Sequence, residues 1–456
     1  MSNTYSLVNP FDNSPLGEYE YTPWATLENQ LAMLKEGQLS QRKTAAFQRA
    51  GVLNKLAALL KEHSEEMATL ITQETGKTIL DSRVEMMRAY NAAIASAEEA
   101  RQIQGESLDS DAYAPAGGKI GVVCWKPLGT ILCITPFNFP INIAIHKIGP
   151  AYAAGNTILF KPGPQNTASA QLLVKLCYEA GMPENTLQLC MPEFSDLDRL
   201  NAHPDVNAIN FTGGTAAANA ISAAAGYKKL LLELGGNDPL IVMDDGDLEA
   251  ATTAAINHRF ATAGQRCTAA KRLFIHANVY EAFRDLLVEK SSKLVVGDPM
   301  KDDTFVGPVI NQGAADQIRT LIEQAIEDGA SVALGNQYEG AFVYPTILEN
   351  VSPTSEIMVE EAFGPVMPLY KFESVEEIIP IINNTAYGLQ AGVFSQNLAT
   401  IKELYEQLDV GTLAANDGPG FRTEHFPFGG VKESGIGREG IKYAIREMSY
   451  TKTLVI

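Results

Sequence analysis

Residues 129–160 read GTILCITPFNFPINIAIHKIGPAYAAGNTILF. The part between Gly129 and Gly149 is the most membrane-like stretch of the chain, yet it holds two prolines, two asparagines, a histidine and a lysine. Hydrocarbon penalises such groups heavily, so the stretch reads as buried interior of a globular protein and no membrane association is expected. Ile131–Ile134 and Thr157–Phe160 are short apolar runs of strand character, and Leu187–Cys190, Ala208–Phe211 and Leu230–Leu234 repeat them. Between the runs lie stretches of helical composition such as Ala168–Ala180 and Thr215–Ala225. Short apolar strands alternating with helices imply βαβ units and a parallel sheet covered on both faces. That is a mononucleotide-binding type of architecture.

Further along, a second alternating series has strand candidates at Pro239–Val242, Arg272–Ile275, Val332–Leu334 and Gly411–Ala414. Its helix candidates are Tyr280–Lys293, Gly313–Asp328 and Leu398–Gln407, and the boundary between the two series falls near Gly235-Gly236. Towards the N-terminus, Leu53, Leu56 and Leu60 recur at helical spacing, which predicts one helix over 43–76 ending near Gly76 and a second over 79–103. Lys119–Trp125 and Tyr450–Ile456 are β-rich and fit neither series, so they are expected to pair as an arm.

Composition narrows the function. The chain has 456 residues, 46% hydrophobic and 20% charged, with a formal net charge of −19. At that size a core forms without disulfides or structural metal, and the carboxylate excess repels a phosphate backbone, which excludes a nucleic-acid partner. The five cysteines (Cys124, Cys133, Cys177, Cys190, Cys267) form no CxxC pair, so neither a metal site nor a disulfide framework is signalled. A reducing cytoplasm is the natural setting, and the opening MSNTYSLVNPFDN has no basic stretch followed by an apolar run.

Four features bear on chemistry. Gly435, Gly437 and Gly440 match GxGxxG, but the turn-rich HFPFGGVKES precedes them where a strand is required, so they read as a loop needing glycine conformations. Cys267 lies in GQRCTAAKR; most lone cysteines are small buried hydrophobes, but cationic neighbours and a helix start would lower this thiol's pKa and suit a nucleophile. Glu233 ends the apolar run LLLE, where burial should raise its pKa towards that of a general base; the plain alternative is a strand-end residue facing water or a lysine. Asn138 sits between Pro136 and Pro140 in an ordered turn, where its amide could serve an oxyanion or merely the turn.

Taken together, TPFNFP, LFKPG, NFTGGT, LELGG, GQRCTA, EEAFGP and PFGGVKESG, in that order over nearly the whole chain, resemble the aldehyde dehydrogenase superfamily. The resemblance implies an α/β fold with a Rossmann-like cofactor domain (1–117 and 129–235), a second α/β catalytic domain (236–430) and a β-arm (118–128 and 431–456) that builds homodimers or homotetramers. It implies that Cys267 attacks the aldehyde carbon, that Asn138 and the Cys267 N–H hold the oxyanion, and that Glu233 activates water against the resulting thioester. An acylating route to coenzyme A is the alternative, against which the glutamate at 233 argues; a catalytically silent protein on the same fold is another. For the cofactor, NADP or NAD, Lys161 matches the ribose contact, Gly213 the phosphate-approach turn, and Glu361 and Phe363 the pair at the nicotinamide half. Pro164 stands where many NAD-preferring members carry glutamate, and Gly214 where serine is common; the missing carboxylate makes NADP acceptable. Arg266, Arg422 and Arg101 resemble the anion-recognising arginines of the branch that oxidises glyceraldehyde-3-phosphate without phosphorylation, and lactaldehyde and phosphonoacetaldehyde dehydrogenases are similar there; Phe139 is the fourth candidate substrate contact and the point of departure. That branch has tyrosine where this chain has Phe139.

Overall fold

The computed structural model describes residues 4–109 and 111–456. Residues 1–3 and Ser110, which fall in the expected 1–117 span, lie outside the described residues. The stretch quoted first folds as strand Thr130–Ile134, helix Pro140–Ala154 and strand Thr157–Lys161. Pro140 opens that helix at its first position, where a missing N–H is no loss, and Gly155 ends it in the left-handed region at φ 92°. The turn expected at the two prolines is therefore only the segment ahead of Pro140.

A six-stranded sheet is built around these strands. Its order is Gly435–Ile436, Lys229–Glu233, Ala208–Thr212, Thr130–Ile134, Thr157–Lys161 and Leu187–Leu189, parallel except at the 435–436 edge. Successive side chains alternate between its faces. Ile131, Cys133, Ile158 and Phe160 enter one core, while Leu132, Ile134, Leu159 and Ile209 enter another on the opposite side. Each such fully buried aliphatic side chain contributes about 1.5–3 kcal/mol, which holds the register against a one-residue slip.

A seven-stranded sheet carries the second series, in the order Ser331–Leu334, Thr346–Glu349, Val366–Phe372, Arg272–His276, Pro239–Val242, Gln390–Phe394 and Thr412–Ala415. Only the edge strand Ser331–Leu334 runs antiparallel. The sequence boundary near Gly235-Gly236 matches the gap between strands Lys229–Glu233 and Pro239–Val242.

Three expectations change. The single helix over 43–76 is two, Ala46–Glu62 and Ser64–Thr75, broken at His63 (φ −92°, ψ 17°), and a further helix, Trp24–Gln41, precedes them. The arm pairs as expected, Ser449–Val455 running antiparallel to Ile120–Pro127, but Glu106–Asp109 adds a third strand. Within 431–456, strand Gly435–Ile436 extends the six-stranded sheet and helix Ile441–Glu447 packs on helix Pro140–Ala154, so only the last strand belongs to the arm sheet. Among the described residues no helix is long and apolar enough to cross a membrane, and no group of three or more His, Cys, Asp or Glu could hold a metal ion.

Candidate active site

The strand order of the six-stranded sheet reverses between Thr130–Ile134 and Ala208–Thr212. At such a reversal the loops leaving the carboxyl ends part, and a crevice opens. Here it is a cavity of about 440 Å³ that brings together Lys161, Pro164, Gly213, Gly214, Glu361 and Phe363, and also Asn138 and Cys267.

The lining suits a nicotinamide dinucleotide. A Cβ on Gly213 would come within 2.4 Å of the Phe211 ring, so glycine keeps the backbone open to a close approach. Gly214 is the N-cap of helix Thr215–Ala225, whose first N–H groups favour an anion. Lys161 Nζ gives one hydrogen bond to the Pro162 carbonyl at 3.2 Å, which leaves donors for ribose or phosphate oxygens. Glu361 is fixed by Lys271 Nζ at 2.6 Å and the Gly236 N–H at 3.3 Å. Phe363 stands edge-on to Phe137.

Cys267 is delivered by a strained approach. Thr262 and Ala263 are left-handed at φ 56° and 50° without being glycine, a conformation that persists only when its surroundings enforce it. Asp81 enforces it, accepting from the Thr262 N–H at 2.8 Å and its hydroxyl at 3.1 Å. Asn138 Nδ2 donates to the Gln265 carbonyl at 2.8 Å, and its Oδ1 is buried without a partner among the described residues. The amide is thus tied two residues ahead of the sulfur. Lys271 Nζ holds the Cys267 carbonyl at 2.6 Å. The expected helix start at Cys267 is absent, since a short 3₁₀ turn, Ala261–Gly264, precedes it. Nor is the thiol's pKa lowered: burial pushes it up to about 11, against the opposing pull of Lys271. At rest the sulfur is protonated.

Glu233 is buried at the end of its strand, and burial, then the charge of Glu439, raises its pKa well above the usual carboxylate range, as expected. It does not line the cavity with Cys267. Its Oε1 lies against Gly429 and its Oε2 has no partner among the described residues. Beside it Glu439 accepts from Lys147 at 3.0 Å and from Arg422 at 2.8 Å, and these cations, outweighing burial, hold its pKa down to about 2. Glu233 thus stands just outside the cavity, whose lining includes the next two residues, Leu234 and Gly235. The GxGxxG stretch supplies its neighbour: Gly435 pairs with Glu233 across the sheet, and Gly435, Gly437 and Gly440 all have positive φ, outside the cavity lining.

The arginines do not all converge. Arg422 packs its guanidinium 3.8 Å over the Phe428 ring, with a buried Nε lacking a partner among the described residues. Arg266 lies 5.5 Å from the Phe139 ring. Arg101 is a correction: it is exposed at the end of helix Ile79–Ala100, roughly 30 Å along the axis from Asp81 at the helix start. Its neighbours Gln102 and Ile103 line a separate surface hollow with Trp125 and Arg446. The arginine from that helix that does reach the cluster is Arg88, which sequence reading passed over. Arg88 Nε is 3.7 Å from Glu424, its Nη2 is buried without a partner among the described residues, and burial, then the charge of Arg422, lowers its pKa to about 10. The signal was helical spacing: Asp81, Glu85 and Arg88 share one face, and Arg101 lies far beyond it.

A dinucleotide cleft that ends on a half-buried thiol makes chemical sense when the substrate is joined to sulfur while it is oxidised. The class so defined is a nicotinamide-dependent oxidoreductase working on a carbonyl. The chain belongs to the aldehyde dehydrogenase family, whose model matches residues 1–454. It is 37% identical over 451 residues to the 3-sulfolactaldehyde dehydrogenase of Priestia aryabhattai, covering 99% of this chain and 94% of that one. It is 34% identical to a lactaldehyde dehydrogenase of Methanococcus maripaludis, over 94% of this chain and 92% of that one. The NADP-dependent glyceraldehyde-3-phosphate dehydrogenase of Bacillus halodurans C-125, solved with NADP, superposes with a TM-score of 0.96 at 35% identity, over 100% of this chain and 96% of that one.

Proposed function

We propose that this protein oxidises a small anionic or hydroxylated aldehyde to its carboxylate, with NADP or NAD as acceptor. The observation that carries the reading is the single cavity shared by Cys267, Asn138, Lys161, Gly213, Glu361 and Phe363. Cys267 Sγ, on losing its proton, bonds to the aldehyde carbon, and the oxygen that becomes negative accepts from Asn138 Nδ2 and the Cys267 N–H. Preorganised donors aimed at a developing charge are usually the largest single contribution to catalysis. Bound nicotinamide supplies the hydride acceptor. Sulfur keeps the carbon as a thiohemiacetal before oxidation and as a thioester after it. Glu233, rotated towards the cavity and ionised, takes a proton from water, whose oxygen displaces the sulfur and releases the carboxylic product.

The 1–117 and 129–235 spans form the cofactor domain in this reading and 236–430 the catalytic one, with the arm strands joining a homodimer or homotetramer in the cytoplasm. Pro164 lines the cavity beside Lys161 and offers no carboxylate to repel a 2′-phosphate. Introducing one by Pro164→Glu should lower kcat/KM for NADP relative to NAD tenfold or more, a difference of about 1.4 kcal/mol. Steady-state kinetics with both cofactors checks it, and an unchanged ratio removes position 164 from cofactor choice.

Substrate charge follows from the unpaired donors. Leaving a buried guanidinium donor without an acceptor costs about 1–3 kcal/mol, so Arg88 and Arg422 each gain from an incoming anion. The relatives named for sulfolactaldehyde and for glyceraldehyde-3-phosphate support an acidic group. Arg88→Leu and Arg422→Leu should each raise KM for an anionic aldehyde by about tenfold or more while sparing an uncharged alkanal, since a charge-assisted hydrogen bond contributes about 1.5–3 kcal/mol. The test is a panel of succinate semialdehyde, glyceraldehyde-3-phosphate, phosphonoacetaldehyde, lactaldehyde and an uncharged alkanal, each with NAD and NADP. An alkanal that wins on kcat/KM overturns the assignment of the arginines.

A further inference from the structure

Helix Ile79–Ala100 touches the site at two points one turn apart. Asp81 grips the left-handed Thr262 that leads to Cys267. Glu85, buried, grips the other half: its Oε1 accepts from the N–H groups of Ile141 at 2.9 Å and Asn142 at 3.0 Å. Those are the second and third residues of helix Pro140–Ala154, whose first residue is a proline without an N–H. One carboxylate thus takes both donors that the start of that helix leaves free. Its other oxygen takes Lys77 Nζ at 2.5 Å, and the same ammonium lies 3.7 Å from the centre of the Phe139 ring. Asn138 is the next residue back, tethered to Gln265.

We propose that Asp81 and Glu85 are positioning residues that set the separation of Cys267 and Asn138, with Lys77 balancing the Glu85 charge. Side chains four apart on a helix stand about 5–6 Å from each other, so a single rigid helix becomes the gauge between nucleophile and oxyanion donor. Asp81 determines where the Cys267 loop sits, and Glu85 where the Asn138 turn sits. Neither lines the cavity. The proposal rests on reading Asn138 as the oxyanion donor.

The test is a double-mutant cycle on the full chain with the best aldehyde of the panel. Asn138→Ala alone should lower kcat by about 100-fold or more, as loss of one oxyanion donor does elsewhere. Glu85→Ala alone should lower kcat at least tenfold with KM for the nicotinamide cofactor within twofold of wild type, and Glu85→Gln, which keeps an acceptor oxygen, should recover most of that loss. In the Asn138→Ala background Glu85→Ala should add less than a threefold further loss. Multiplying effects overturn the proposal, because independent sites combine that way. Should Glu85→Ala not fold, Asp81→Ala, which removes the acceptor, serves: it should change the rate of Cys267 alkylation by iodoacetamide at least fivefold with cofactor KM unmoved, and an unaltered rate overturns the proposal. Asn138→Ala with wild-type kcat would instead remove the oxyanion reading itself.

Discussion

Cys267→Ala should abolish aldehyde oxidation, lowering kcat by more than about 10⁴-fold, while leaving the dinucleotide cleft able to bind its cofactor. No other thiol can take over. Cys133, Cys177 and Cys190 are buried in the cores of the six-stranded sheet, with pKa values pushed up to about 12 by burial, and Cys124 lies on the arm. The separation of effects is measurable: quenching of protein fluorescence by NADPH should titrate as in wild type, and NADPH production should vanish. The same sulfur has a pH signature. With its pKa at about 11 the thiol is almost wholly protonated at neutral pH, and the reactive thiolate gains about tenfold per unit as pH rises from 7 to 10. Inactivation of the free enzyme by iodoacetamide should rise with that slope and level off only near pH 11. A rate already at its plateau at pH 7 would mean that Lys271 outweighs burial, and full turnover by Cys267→Ala would remove covalent catalysis altogether.

What the sequence made legible follows the reach of its signals. The strands of the six-stranded sheet were readable because burial on both faces writes them as continuous apolar runs, as in Ile131–Ile134 and Ile158–Phe160. The break at His63 was not, because Leu53, Leu56, Leu60, Met67 and Ile71 keep helical spacing on both sides of it. At the site, Cys267, Asn138, Lys161, Glu361 and Phe363 line one cavity. The sulfur's environment was misjudged: nearness in sequence put Arg266, Lys271 and Arg272 around Cys267, but Lys271 is shared with two carbonyls and Glu361, and Arg272 turns to the carbonyls of Asn237 and Ile382. Arg101 was proposed by resemblance to relatives, and resemblance does not track where along a helix a side chain emerges: it stands exposed at the opposite end of its helix from Asp81. Glu85 did leave a trace: it falls in the buried stripe Ser82, Met86, Ala89, Ala93, Ser96, where a carboxylate needs a partner.

Glu233→Gln should lower steady-state turnover by about 10²–10⁴-fold, the range a positioned general base supplies, by stalling the enzyme after oxidation. The amide is close in size to the carboxyl and carries no proton-accepting charge, and burial already disfavours the charged form of Glu233, so the fold should tolerate it well. The first half of the reaction does not need this base, so rapid mixing should give a burst of about one NAD(P)H per site followed by a slow steady rate. Mass spectrometry of quenched samples should find the acyl group on the peptide that carries Cys267. The pH dependence has a definite sign. A raised pKa keeps Glu233 protonated through the ordinary carboxylate range, so wild-type thioester hydrolysis should accelerate as pH climbs through that raised value, and Glu233→Gln should flatten the profile. Glu439 sharpens the test: its negative charge is the second cause of the raised pKa, after burial. Glu439→Gln should therefore move the rising limb to lower pH, in the direction opposite to a loss of function. Glu233→Gln with neither burst nor slowed turnover would assign the water-activating step to another group, and the buried carboxyl at this strand end would then be a structural member of the Lys147–Glu439–Arg422 cluster.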